Sequence, residues 1–67
     1  MKYYVNKIAQ DNGDHEVHNE NCFFLPYEEN RIFLGNFTNC KDAVREAKKR
    51  FPTADGCSKC SKECHTR

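Results

Sequence analysis

The apolar positions of this chain change period twice. Tyr3 to Ala9 crowd together aromatic and β-branched residues, the composition of a strand. Asp11-Asn12-Gly13-Asp14 follows with no apolar residue, and Asn-Gly is the dipeptide that tolerates the positive φ angles of a two-residue type I′ hairpin turn. His15-Glu16-Val17-His18 is then expected to return antiparallel as a second strand. After Cys22 comes the apolar run Phe23-Phe24-Leu25, and Pro26 with Glu28-Glu29-Asn30 marks a loop. Arg31-Ile32-Phe33-Leu34 reads as a third short strand, stopped by Gly35-Asn36.

Beyond Phe37 the pattern becomes helical. Cys40, Ala43, Val44, Ala47 and Phe51 stand at i, i+3, i+4, i+7 and i+11 and make one apolar stripe. Thr38-Asn39 offers a side-chain oxygen to the unpaired N–H groups of the first turn. Lys48-Lys49-Arg50 places cations in the last turn, where the helix dipole favours them. Pro52 ends the helix, and Asp55-Gly56 is expected to turn the chain toward Cys57. The fold class is α+β: a small antiparallel β-hairpin or three-stranded sheet with one helix packed on it. One domain spans 1–67, with its core over residues 3–60 and a C-terminal tail at 61–67.

Size adds a constraint. Sixty-seven residues, 37% of them apolar, exclude a multi-domain architecture, a membrane span and a large enclosed active-site cavity. A chain this short buries only about 60% of its unfolded surface. Ordering it costs about 1.5 kcal/mol per residue, so a staple is expected: disulfides, a metal or a partner chain.

The net charge of +1 hides an asymmetry. Residues 1–40 hold three Lys/Arg against six Asp/Glu, whereas residues 41–67 hold eight against four. The basic half is first a helix with a solvated charged face. Its alternative role is a nucleic-acid surface of Lys41, Arg45, Lys48, Lys49 and Arg50, with Lys59 and Lys62 nearby. A pI near 7.6 falls short of a dedicated nucleic-acid binder. Met1-Lys2 leads into Tyr3-Tyr4 without the apolar stretch of a secretion signal, so a cytoplasmic protein is expected; a monomer is expected rather than an oligomer.

The five cysteines and three histidines carry the chemistry. An odd number of cysteines cannot all pair within one chain, which argues against a disulfide framework and for metal ligands. His18-x3-Cys22 and Cys57-x2-Cys60 are the two short patterns. A Cys-x2-Cys pair lets two thiolates reach one ion from a single turn, half of a tetrahedral zinc site, and His18 with Cys22 at a strand end supplies the other half. The resulting Cys3His shell is structural in composition, and zinc is preferred over iron because an imidazole is among the donors. The tail Cys57-x2-Cys60-x3-Cys64-His65 leaves alternatives open. Cys64 or His65 can replace His18, or Cys60 and Cys64 can ligate while Cys57 packs. His15 is expected to face solvent, and Cys40 to act as a small buried hydrophobe. Asp11-Asn12-Gly13-Asp14 lacks the ligand spacing of a calcium loop.

This order of elements resembles the Ada-like zinc-binding domains, named for the Ada DNA-repair protein. The likeness rests on strand, turn, His18-x3-Cys22, apolar strand, capped helix with Ala43 and Ala47, Gly56 and Cys57-x2-Cys60, and it covers residues 3–60. It implies a zinc-stapled fold. The sequence departs from the family where His18 stands at the first ligand position, the thiolate that accepts a methyl group from a DNA phosphotriester, and where Gly56 replaces the usual proline before Cys57. The resemblance therefore implies no methyl-transfer repair, and it implies DNA binding only through the basic helix.

The sequence thus predicts a structural zinc module that interacts with nucleic acid or another protein and has no catalytic constellation. Two alternatives stand beside it: a redox or alkyl-accepting thiol protein using Cys57, Cys60 or Cys64, and a disulfide-stabilised secreted module. Tyr3, Tyr4, Phe23 and Phe24 can stack on bases, but so small a domain is expected to need its aromatics in the core.

Overall fold

A computed structural model describes residues 1–67. Strand β1 (Lys2–Asn6) lies between β2 (His15–Asn19) and β3 (Arg31–Asn36), antiparallel to both. A fourth strand, β4 (Ala54–Gly56), pairs parallel with β2 and completes the order β3-β1-β2-β4. The expectation of three strands is corrected here, and the residues responsible are Asp55 and Gly56. On sequence alone they predict a turn, because three residues rich in turn formers carry no periodic signal. Their strand geometry comes from the long-range pairing of His15 with Ala54 and Val17 with Gly56.

The first hairpin is looser than a two-residue turn. β1 ends at Asn6 rather than running to Ala9, and the reversal is concentrated at its tip. There Gly13 N–H donates to Gln10 O at 2.8 Å and Gln10 N–H donates to Asp14 O at 2.8 Å. Gly13 takes φ +90°, so the tip is a three-residue loop with a glycine in the left-handed region. Asn12 Oδ1 braces it by accepting from Asp14 N–H at 2.9 Å. In β3 the chain passes through Gly35 instead of stopping there, with a register shift opposite Tyr3 and Tyr4 and φ +134° at the glycine.

The helix α1 (Cys40–Lys48) begins where the cap residue predicts, with Asn39 Oδ1 accepting from Asp42 N–H at 2.9 Å. Ala43 and Ala47 are fully buried, and their small side chains let the helix approach one sheet face closely. That face presents Tyr3, Val5 and Val17, joined by Cys40 and Ala54 and flanked by Ile32, Leu34, Phe37, Val44 and Phe51. Because side chains alternate along a strand, Tyr4, His18 and Phe33, which sit opposite one another in the register, lie on the face the helix does not cover.

The residues after Cys60 are bound into the structure. Asp55 carboxylate oxygens accept from Thr66 N–H at 2.9 Å, Thr66 Oγ1–H at 2.7 Å and Arg67 N–H at 3.3 Å. Burial alone would raise the Asp55 pKa, but these donors and the nearby His65 outweigh it and hold the carboxyl below its usual value. Arg67 also closes an ion pair on the buried Asp14 at the start of β2. Under this tail lies Gly56, where a Cβ would come within 2.6 Å of Cys64 Cβ and 2.8 Å of Ser61 O. Gly56→Ala is therefore expected to force the tail off β4 and lower stability by about 1–3 kcal/mol. Urea unfolding monitored by circular dichroism checks this, and an unchanged midpoint would contradict the packing.

Candidate metal centre

The parallel pairing of β2 and β4 is what assembles the site. Val17 is in register with Gly56, and Cys57 N–H continues the ladder by donating to Val17 O at 3.0 Å. The residues that follow these partners, His18 within β2 and Cys57 just past β4, thus stand side by side. A turn closed by Cys22 N–H on Asn19 O at 3.1 Å brings Cys22 back beside His18. On the other strand, Ser61 N–H donates to Cys57 O at 2.9 Å and folds Cys60 under Cys57. One donor atom each from His18, Cys22, Cys57 and Cys60 then lies within 4.8 Å of every other.

Two features show what these four side chains are suited to hold. Each sulfur faces one backbone amide: Phe24 N–H toward Cys22 Sγ, Lys59 N–H toward Cys57 Sγ and Asn19 N–H toward Cys60 Sγ, all at 3.4 Å. Amides aimed at sulfur favour the charged thiolate over the neutral thiol. His18 is 1% exposed, yet neither Nδ1 nor Nε2 has a hydrogen-bond partner. The nearest carboxylate oxygen, Glu16 Oε1, stands 3.7 Å from Nε2, beyond hydrogen-bond reach. An unpaired buried polar group costs about 1–3 kcal/mol, which a bond from an imidazole nitrogen to a cation removes.

Without a cation the same burial favours neutral forms. It holds His18 down to about 4. It also pushes the Cys22 thiol up to about 12, aided by the neighbouring Cys60 and Cys57 and opposed by the Phe24 amide. A neutral imidazole is ready to donate its lone pair, whereas the Cys22 thiol needs a positive charge beside it before it ionises. The separation of Cys22 Sγ from Cys57 Sγ, 3.9 Å, matches the edge of about 3.8 Å of a tetrahedron with metal–sulfur bonds of about 2.3 Å. The four residues fit a tetrahedral ion.

The two alternates are engaged elsewhere. Cys64 forms a disulfide with Cys40, and His65 Nδ1 lies 3.0 Å from Gly56 O and 3.4 Å from Asp55 Oδ2. The disulfide corrects two expectations. Cys40 is buried but is not merely a small hydrophobe, and an odd cysteine count does not forbid a bridge when three cysteines belong to a separate cluster. The signal available in the sequence was Cys40 at the first helical position, with Cys64 beyond a second pattern; no spacing rule connects them.

The remaining candidates divide. Lys41, Arg45, Lys48, Lys49 and Arg50 are exposed, with Arg45 paired to Asp42 at 3.4 Å and Lys49 to Glu46 at 3.1 Å. His15 does not face solvent freely; it is half-buried, stacks on Phe51 at 3.9 Å between ring centroids, and places Nδ1 2.9 Å from Asn6 O. Tyr3 is in the core as expected, but Phe23 and Phe24 are exposed. Their run after Cys22 is not a strand, because the turn at Cys22 and Pro26 leave it no partner.

No family model, curated protein or solved structure matches this chain. What stands is a small α+β fold with a four-stranded mixed sheet, whose His/Cys3 cluster is capable of holding a metal or of thiol redox chemistry. No helix is long and apolar enough to cross a membrane.

Proposed function

We propose that this protein is a structural zinc module: His18, Cys22, Cys57 and Cys60 hold one Zn2+, and the domain so fixed works by interaction rather than catalysis. The observation that carries the reading is the set of three backbone amides, one for each sulfur, around a buried histidine with two unpaired nitrogens. A redox dithiol needs two sulfurs, whereas here three sulfurs and an imidazole converge on one point. Zinc suits three thiolates and an imidazole, and four protein donors leave no position for a substrate.

The order His18, Cys22, Cys57, Cys60, with α1 between the two halves, is also what supports the Ada-like reading. His18 in the first position speaks against methyl transfer. The exposed cations of α1 are the surface this reading offers to nucleic acid, although Asp42 and Glu46 lower its charge.

Cobalt titration of the metal-free protein tests the proposal. One equivalent of Co2+ is expected to give the intense visible bands of a tetrahedral thiolate site, displaced by one equivalent of Zn2+. Saturation without those bands would point to surface binding. A native mass lower by two further hydrogens than the single-disulfide chain would instead make the cluster a redox pair.

A further inference from the structure

The loop that follows Cys22 displays apolar surface that the fold leaves bare. Phe23 is 93% exposed, Tyr27 78%, Ile8 57% and Phe24 55%. Together with Leu25 and Pro26 they line one shallow groove. Contiguous apolar surface of this kind on a small domain marks a place where something docks.

This groove is built and braced. Cys22 anchors its start, where Phe24 N–H points at Cys22 Sγ and Leu25 N–H donates to Cys22 O at 3.1 Å. Its far end is pinned by Arg31 Nη1–H donating to Pro26 O at 2.9 Å and by Asn30 N–H on Tyr27 O at 2.8 Å. Phe23 and Phe24 meet edge to face with centroids 5.4 Å apart. Aromatic side chains have few rotatable bonds and so lose little freedom on binding, which is why they dominate interface energetics.

Charge chooses the occupant. The loop itself, residues 22–30, holds two carboxylates and neither lysine nor arginine, and the Arg31 that follows is turned inward, with Nη1–H on Pro26 O and its guanidinium 4.7 Å from the Tyr4 ring centroid. Glu28 and Glu29 follow Tyr27 directly, both are exposed, and neither has an ion-pair partner, while Asp14 is taken by Arg67. Phosphates of nucleic acid and of anionic lipid are repelled by such a rim. A segment carrying Lys or Arg beside apolar side chains is complementary to it.

We infer that the Cys22–Glu29 loop is a docking surface for a basic, apolar segment of a partner protein, which inserts its apolar side chains among Phe23, Phe24 and Tyr27 and sets its cations against Glu28 and Glu29. The inference rests on the zinc reading in one respect: Cys22, which fixes the start of the loop, is one of the four proposed ligands.

Selection of a random-sequence peptide library displayed on phage, against the full zinc-treated chain, tests it. Enriched peptides are expected to combine Lys or Arg with aromatic or aliphatic residues. The synthesised winner should bind the double variant Phe23→Ser, Tyr27→Ser about thirty-fold or more weakly. Glu28→Gln with Glu29→Gln should weaken it several-fold and flatten the salt dependence. Both variants alter exposed side chains, and their cobalt spectra are expected to match the parent's. Loss of peptide binding with an unchanged spectrum supports the docking surface. Absence of cobalt bands with loop-dependent peptide binding retained would overturn the zinc reading and leave the docking surface standing. Acidic winners, winners indifferent to both variants, no enrichment, preferential binding of a single-stranded oligonucleotide to the loop, or concentration-dependent self-association abolished by the Phe23 and Tyr27 changes would each overturn it.

Discussion

On the zinc reading, a strong chelator is expected to collapse the ends of β2 and β4 and, with them, the cooperative fold. Metal binding contributes about 10–16 kcal/mol to folding in zinc-finger peptides, as much as the whole stability of a typical domain, about 5–15 kcal/mol. The core beneath α1 rests on two valines, three alanines, Tyr3 and Cys40. Such a core leaves little reserve once the cluster opens. Circular dichroism and urea unfolding with and without chelator read the effect directly, and Cys57→Ser should reproduce it without any chelator. An unchanged urea midpoint after verified zinc removal would show that the sheet and disulfide suffice.

Acid should act at the same place. Burial holds His18 at about 4 in the metal-free fold, below its ordinary 6.5. For a depressed histidine the contribution to stability is present above the unfolded value and is lost as pH falls from about 6.5 through 4. The metal-loaded protein loses stability in the same direction, since protons compete with the ion for His18 and three sulfurs.

The local elements were legible in the sequence wherever one segment decides its own state. Asn39 caps α1, and the 3-4 spacing of Ala43, Val44 and Ala47 sets the face it buries; both depend only on near neighbours. The pairing of His18-x3-Cys22 with Cys57-x2-Cys60 could be read as chemistry because few structures need those side chains at those spacings. What escaped was long-range. Ala54–Gly56 becomes a strand only because β2 offers it an edge, and Cys40 meets Cys64 only after α1 has crossed the sheet. Composition places Phe23 and Phe24 inward, yet they follow the turn that Cys22 N–H closes on Asn19 O and stay exposed. His15 is expected at solvent, yet it stands two residues before the buried Val17, on the same face of β2, and Phe51 covers it from beyond the helix end.

Removing the second staple is expected to cost less than removing the first, and by a separable amount. Cys40 and Cys64 are 24 residues apart, and closing a loop of that length restricts the unfolded chain by about 3.5 kcal/mol. With a urea slope of about 1 kcal/mol per molar for so small a domain, the midpoint of Cys40→Ala, Cys64→Ala should fall by about 3 M. The cobalt spectrum should persist, because neither cysteine belongs to the cluster. The bridge acts mainly on the unfolded state and the ion on the native one, so the two losses should add, and the double variant should unfold at a lower chelator concentration than the parent. A midpoint that does not move would mean that the Cys40–Cys64 bond constrains nothing the cluster does not already hold. The same comparison bears on where the protein can work. On the zinc reading, in a reducing compartment Cys40 and Cys64 stay open and the ion is the one remaining staple, whereas in an oxidising compartment both operate together.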